Sequence, residues 1–395
     1  MSAIKQRPPH VALLIETSLA YGRGLLRGVA RYVREQGPWS VYFRPQGLDA
    51  PPPPWLGKWR GQGILARIDN RRMARAVLRT GLPVVDVRNA ITGLELPGIG
   101  PDNRKIAQLV FRQFLDIGLR QFAFCAAPHG ENRFLDARAD SFRQQVEAAG
   151  YPCAVYLPCD GRQAGWEQGQ SHLARWLKRL PKPVGIMACD DDRGLQILDA
   201  CLRAEIQAPD QVAVIGVNND EHLCGLSNPP LSSIDVNPER IGYEAAALLD
   251  QLMAGGKSPK EVIELPPRGL VVRQSSDVIG IADPQMAAAL RLIREHAIER
   301  WGVADVANAL DISRSTLERR FATLLGRTPK QEILRVQLAH AQELLTSTSS
   351  SLRIVAEKSG FRSAGYFCEV FHNRMGCTPG AYRRERSINP LESGR

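Results

Sequence analysis

Between Val303 and Arg383 the sequence states one pattern twice. Val306-Ala307 returns as Val355-Ala356, Ile312 as Phe361, and Leu317 and Phe321 as Phe367 and Phe371. Gly326-Arg327-Thr328-Pro329 returns as Gly376-Cys377-Thr378-Pro379. The offset is 49 residues in the first part and 50 in the second, so the second copy holds one added residue. Such a repeat is one supersecondary unit used twice. The apolar spacing makes each unit a helix, a tight turn and a second helix, over about 303–325 and 352–374. Between them Thr328-Pro329-Lys330 opens a long helix through Ile333, Leu334, Val336, Leu338, Ala341, Leu344 and Leu345.

The outward faces of this repeat suit a polyanion. In the first unit Leu317, Phe321 and Leu324 face inward, leaving Arg314, Ser315, Glu318 and Arg319 outward. Arginine pairs with guanine edges, glutamate accepts from cytosine, and serine serves either. Arg320 and Arg327 are placed for phosphates. In the second unit the outward face is Ser363, Ala364, Gly365 and Cys368, with Arg362 and Arg374 for phosphates. Gly360 suits a positive φ in the turn. Charge agrees: residues 285–395 hold 17 Lys+Arg and 11 Asp+Glu, leaving 34 and 30 for residues 1–284. The net charge of +10 therefore splits as +6 and +4, concentrated in the shorter part.

Upstream, short apolar runs alternate with helical patterns. Val11–Ile15, Trp39–Phe43, Gly63–Ile68, Pro83–Val87, Gln121–Cys125, Ala154–Leu157, Gly185–Cys189 and Val212–Val217 read as strands. Such alternation implies parallel sheets with right-handed crossovers, and its length suits two doubly wound lobes. Ligands of such sheets sit beyond the carboxyl ends of the strands. The polar residues there are Glu16, Thr17, Ser18, Asp69, Asp191, Asn218 and Asn219. They either hold a neutral hydroxylated ligand or cap the helices that follow. Gly22, Gly24 and Gly28 mimic a dinucleotide fingerprint, but the third glycine comes one residue late and the set starts six residues past the strand. Close packing explains them better.

At 395 residues the chain suits two or three domains. No window offers a transmembrane helix, and the start lacks a signal-peptide core, so a cytoplasmic protein is expected. Eight scattered cysteines, without Cys-x-x-Cys, read as small core hydrophobes. No nucleophile elbow, phosphate loop or His-Glu-x-x-His is present, so no catalytic residue, cofactor or metal is expected.

Ala20-Tyr21-Gly22-Arg23 with Gly28-Val29, Asp102-Asn103, Arg138 before Ser141-Phe142, Asp190-Asp191, Val214–Asn219, and Leu231–Ile234 followed by Gly242 carry a resemblance. Through them residues 1–275 resemble the sugar-binding domain of the LacI/GalR regulators, which is similar to periplasmic sugar-binding proteins. The resemblance implies that Arg138, Asp191 and residue 218 bond sugar hydroxyls. Position 218 is Asn where that family has Asp. Tyr21 and Arg23 join the expected site through their motif, beside Glu16, Ser18 and Asp69. Ile354, Ala356, Gly360-Phe361, Ser363, Tyr366-Phe367, Phe371, Gly376, Pro379 and Tyr382-Arg383 resemble the AraC/XylS family. The order of the parts is that of xylose-operon regulators.

The expected fold is an α/β two-lobed periplasmic-binding-protein-like domain with doubly wound parallel sheets, over 1–274. A linker over 275–284 leads to an all-α domain over 285–386 with two helix-turn-helix units, then a tail, 387–395. The resemblance implies a regulator, an activator by family tendency, that binds a double-stranded DNA operator under control of xylose or a related monosaccharide. A homodimer, contact with RNA polymerase and no membrane are expected. The alternatives are a ligand-relieved repressor and a sugar-processing enzyme with an accessory DNA-binding module.

Overall fold

A computed structural model describes residues 7–48, 50–128, 130, 132–158, 165–259, 261–277 and 283–386. It divides the chain into two compact units near residue 278. In the first unit, β1 (His10–Leu14), β2 (Ser40–Phe43), β3 (Gly63–Ala66) and β4 (Val84–Asp86) form a parallel sheet in the order β2-β1-β3-β4. A short strand, β5 (Ile99–Pro101), comes next. The second sheet holds β6 (Phe122–Cys125), β7 (Cys153–Tyr156), β8 (Val184–Ala188), β9 (Val212–Val217) and β10 (Ser232–Asp235). A strand β11 (Ile263–Leu265) pairs with β5, and β12 (Gly269–Val271) closes the second sheet, antiparallel to β10. Its order is β12-β10-β9-β8-β6-β7. The central strands are covered on both faces, which is why they read as continuous apolar runs. The strands β5, β10, β11 and β12 are not expected from the sequence.

The helices of this unit are α1 (Ala20–Gln36), α2 (Arg71–Leu78), α3 (Asn103–Asp116), α4 (Arg133–Ala148), α5 (Trp166–Arg179), α6 (Asp191–Arg203), α7 (Glu221–Leu226) and α8 (Pro238–Met253). Although α8 follows β10 of the second sheet, it packs on α1, β3 and β4 of the first. The chain therefore crosses between the lobes after β5, after β10 and before β12. Helices α1 and α8 touch backbone to backbone. A Cβ on Gly28 would lie 2.0 Å from the Glu239 carbonyl oxygen, and one on Gly242 would lie 2.1 Å from that of Leu25. Close packing thus accounts for Gly28, and a Cβ on Gly24 would likewise meet the Pro238 ring.

The expected linker starts too early. Ser275 and Ser276 are fully buried. Ser275 Oγ donates to the Val214 carbonyl (2.6 Å) and accepts from Ser232 N (2.8 Å). Residues 278–282 of that linker, the tail 387–395 and Cys159 lie outside the described residues. Cys125, Cys189, Cys201 and Cys224 are buried free thiols, and burial pushes Cys125 and Cys201 up to about 12. Among the described residues there is no His/Cys/Asp/Glu cluster fit for a metal. No helix there is long and apolar enough to cross a membrane.

The second unit holds α9 (Pro284–His296), α10 (Val303–Ala309), α11 (Arg314–Leu325), α12 (Pro329–Ser347), α13 (Leu352–Lys358), α14 (Ala364–Met375) and α15 (Pro379–Arg386). It has two small cores. Met286, Leu290, Ile293, Val306, Leu317, Phe321 and Ile333 make one; Leu338, Ala341, Leu345, Val355, Phe361, Phe367, Phe371 and Tyr382 make the other. Leu324, expected inward, is 40% exposed, and Leu325 packs on the first core in the last turn of α11. The repeat is also conformational. Asp311 and Gly360 have φ of 52° and 80° in matching turns, and Gly326 and Gly376 cap α11 and α14 at 65° and 72°. The added residue falls in the second turn: Ile312-Ser313 in one copy faces Phe361-Arg362-Ser363 in the other. Ser313 and Ser363 cap the following helices, accepting from Thr316 N and Tyr366 N.

Candidate functional site

The polar residues at the strand ends of the first lobe form a row of alternating charge. Glu16, just past β1, accepts at Oε1 from Arg67 Nη1 (2.5 Å), and both side chains are 3% exposed. Glu16 Oε2 accepts from Ser18 Oγ and Leu19 N, both at 2.9 Å. Asp69 Oδ1 accepts from Arg88 Nε (2.9 Å) and stands 3.9 Å from Arg67 Nε. A buried pair of this kind loses about 3–5 kcal/mol when one partner is removed. Arg67 and Arg88 are not expected from the sequence. An arginine beside a strand reads as a solvated charge, and its acid partners lie far away in the chain. Gln46, Leu48 and Asn70 line a recess with Glu16, Arg67 and Asp69.

Asp86 closes β4. Its Oδ1 accepts from Ile68 N and Arg88 N and its Oδ2 from Asn89 N. Burial outweighs these bonds and pushes its pKa up to about 6. Tyr21, at the start of α1, is buried, and desolvation raises its phenol pKa against the charges of Arg67, Arg88 and Arg138. Arg23 Nη1 donates to the carbonyls of Thr17 (2.7 Å) and Ser18 (2.8 Å), so it shapes the loop before α1.

From the second lobe, Arg138 on α4 is 2% exposed. Its Nε donates to Asn103 Oδ1 (2.9 Å), its Nη1 donates to the Cys189 carbonyl, and its guanidinium lies 5.7 Å from the Phe134 ring centre. Asp191 opens α6 and is buried, and both its oxygens are taken by the protein. Oδ1 accepts from Ser233 Oγ and Oδ2 from Asp220 N (2.7 Å). Burial pushes its pKa up to about 7. A Cβ on Gly216 would lie 2.4 Å from Asp191 Oδ1, so glycine there makes room for the carboxylate. Asn218 and Asn219 have φ of 115° and 51°. Asn218 N donates to the Ile234 carbonyl (2.9 Å), which ties this turn to β10. Asn219 Oδ1 accepts from Arg273 (2.8 Å).

The capping alternative falls on neighbours of the expected residues. Asn70 caps α2, Asp190 caps α6 and Asp220 caps α7. Asp69, Asp191 and Asn218 are thereby left to other partners. Asp220 Oδ2 also accepts from Ala20 N (3.0 Å), a bond from the second lobe to the start of α1.

In the second unit the first recognition face is open. Arg314 Nε donates to Glu318 Oε1 (2.8 Å), and the two side chains are 67% and 42% exposed. Ser315 and Arg319 lie beside them, both exposed. Arg320 is not open. It holds Asp283 (2.6 Å) and Gln285 at the start of α9. Arg327 pairs with buried Glu332 (2.9 Å). Both arginines were expected on phosphates, and both are engaged by carboxylates of their own unit. Burial alone would push the Glu332 carboxyl up, but Arg335, Arg327 and Arg294 together hold it below the usual glutamate value. In the second face Arg362, Ser363 and Arg374 are exposed, whereas Ala364 and Cys368 are half-buried against the second core. Tyr366, which the sequence places only in a family motif, is 43% exposed on this face.

Residues 111–276 match the model of a periplasmic binding protein-like domain, and residues 306–385 match that of a helix-turn-helix domain. The xylose operon regulatory protein of Escherichia coli (strain K12) is 32% identical over 383 residues, covering 94% of this chain and 96% of that one. Its counterpart in Haemophilus influenzae is 29% identical over 379 residues, covering 94% and 97%. Among solved structures, that of the xylose-binding transcription activator XylR is 30% identical with a TM-score of 0.65, over 97% of this chain and 99% of that one. A CelR–cellobiose complex, 20% identical with a TM-score of 0.54, covers 68% of this chain and 85% of its own, and shares the fold.

Proposed function

Because the chain belongs to the family of xylose operon regulators, DNA-binding transcription regulators with a sugar-binding domain and not enzymes, we propose that a monosaccharide in the cleft of its first unit controls operator binding by its second. One observation carries this reading. Asp220 Oδ2 accepts from Ala20 N (3.0 Å) and Asp220 N donates to Asp191 Oδ2 (2.7 Å), so the strand-end cluster of the second lobe meets the start of α1, beside Glu16, Ser18 and Tyr21 of the first. A ligand there touches both lobes at once, so it stabilises their closed arrangement and shifts a two-state equilibrium. Glu16, Ser18, Tyr21, Arg23, Asp69, Arg138, Asp191 and Asn218 make or support the ligand site. Xylose or a related monosaccharide is the effector.

On the operator, Arg314, Ser315, Glu318 and Arg319 read base edges, while Arg362, Ser363, Ala364, Cys368 and Arg374 anchor the second unit. Two recognition helices joined by one long helix suit successive major-groove segments, roughly 34 Å apart. A solved relative is described as a transcription activator, which favours activation through RNA polymerase. The working form is a cytoplasmic homodimer. Footprinting of the neighbouring promoter with purified protein, with and without each pentose and hexose, tests the reading. A sugar-dependent change in affinity or footprint is expected. Identical footprints with every sugar would sink it.

A further inference from the structure

Helix α1 is capped from outside its own lobe. Among the described helices of the first unit, α1 alone has neither a capping side chain of its own nor an acid in its first turn: its N-cap position is Leu19. The amide of Leu19 goes to Glu16 Oε2 (2.9 Å). The first helical amide, Ala20 N, goes to Asp220 Oδ2 (3.0 Å), 200 residues away in the other lobe.

The acceptor is held in place. Asp220 is 6% exposed. Its Oδ1 accepts from His222 N (3.2 Å), which caps α7, so the second oxygen is the one turned to α1. Its own amide donates to Asp191 Oδ2 (2.7 Å), so Asp191 fixes where the carboxylate stands. A carboxylate on the first amide of a 17-residue helix meets the positive end of the helix dipole. The bond lies inside the cleft, since β1 leads into α1 and β9 into α7 at the carboxyl ends of their strands. Ser18 stands two residues before the donor and Asn218 two residues before the acceptor, so expected sugar contacts flank it on both sides.

We propose that Asp220 is a clasp between the lobes, a positioning residue that sets sugar affinity without touching the sugar. This rests on the cleft being the sugar site. The bond holds only while the lobes meet. On opening, Ala20 N and Asp220 Oδ2 are left to water, and α1 loses its cap. The chain therefore stabilises the closed arrangement in part by itself, and the sugar supplies the rest. Weakening the clasp lowers the share of molecules competent to bind, and the apparent affinity falls with that share.

The test removes the bond from each side. Ala20→Pro deletes the donor: Ala20 is the first residue of α1, where proline suits a helix, and Leu19 before it is already extended (φ −98°, ψ 152°). Asp220→Asn leaves one side-chain oxygen to serve two amides. Full-length protein is titrated calorimetrically with D-xylose, L-arabinose, D-ribose and D-glucose. Each variant is expected to bind the parent's best sugar about threefold to thirtyfold more weakly, and the double variant about as weakly as the weaker single. Hydrogen exchange without sugar gives the second readout. Ala20→Pro should speed exchange in residues 218–226 of the second lobe, and Asp220→Asn should speed it in the first turn of α1. Unchanged affinity in both variants, losses that add, or exchange that changes only in the substituted lobe overturns the clasp. If the parent binds none of the four sugars, the sugar reading falls and exchange alone decides the clasp.

Discussion

Gln337 Nε2 donates to the carbonyl oxygen of Gly360 (3.2 Å), and the same nitrogen donates to that of Ala297 (2.8 Å). One buried amide thus joins the long helix, the end of the α9 segment and the turn of the second helix-turn-helix unit. Gly360 admits this approach because it has no Cβ. One placed there would lie 2.6 Å from the Ala297 oxygen. Gln337→Leu takes the side-chain donor from two buried carbonyls, of which Ala297 keeps Arg300 N (3.4 Å), and should cost about 1–3 kcal/mol in denaturant unfolding. Gly360→Ala should destabilise more than Gly326→Ala, because both have positive φ but only Gly360 is crowded. Equal costs for the two alanines would show that the contact contributes nothing.

The Arg314–Glu318 pair is exposed and joins residues four apart on one helix. Its rupture should change stability by no more than about 0.5 kcal/mol. Arg314→Ala should nonetheless weaken operator binding by about 1–3 kcal/mol and relax one base position. A uniform loss over all sequences in a binding-site selection would mean that Arg314 meets phosphate.

Arg374 and Arg320 should separate in salt titrations. Arg374→Gln removes an exposed charge and should lower the slope of log K against log salt by about 1. Arg320→Gln breaks the bonds to Asp283 and Gln285. It should keep the slope and instead lower thermal stability by about 1 kcal/mol. If Arg320→Gln shifted the slope as Arg374→Gln does, its pairing with Asp283 would not persist on DNA.

Asp86 and Asp191 make the first unit sensitive to pH. Their folded pKa values, about 6 and about 7, lie above the ordinary value of 3.8. Stability linked to a raised carboxyl is fully present below the unfolded pKa and is lost as pH rises through the folded one. The window here runs from about 4 to about 7. The first unit should therefore be more stable at pH 5.5 than at pH 8.0, by on the order of a few kcal/mol at most, and should melt at a higher temperature there. In Asp191→Asn that difference should shrink. An unchanged pH profile in this variant would leave the titration to other groups.

Asp191→Ala tests a role that the sequence alone does not suggest. The family resemblance implies a contact with sugar, whereas both oxygens hold Ser233 and Asp220 in place. Its loss should loosen the loop bearing Asn218 and lower the melting temperature even without sugar. A variant that melts like the parent, with sugar response alone abolished, would return Asp191 to the contact role.

Much of this is legible in the chain because the signals are local. Alternating apolar runs mark the central strands, and the repeat marks the helical unit down to Leu317, Phe321, Phe367 and Phe371. What escapes depends on distance. Arg67 and Arg88 matter through Glu16 and Asp69, and nothing in the order of residues joins β1, β3 and β4. Strands β5 and β11 are three residues each and exist only because they meet. Arg320 looks like a phosphate ligand until Asp283 is seen beside it. Ser275 and Ser276 read as linker because buried serines resemble exposed ones until their partners are known.

Helix α12 contributes Ile333 to one core and Leu338, Ala341 and Leu345 to the other. Neither core can lose its order without stripping a side of the other's wall. The two reading heads should therefore melt as one, and amide protons along the middle of α12 should exchange only with the unfolding of the whole unit. A species with one head folded and one undone would then be too rare to sit on half an operator, so occupancy of the two half-sites stands or falls together.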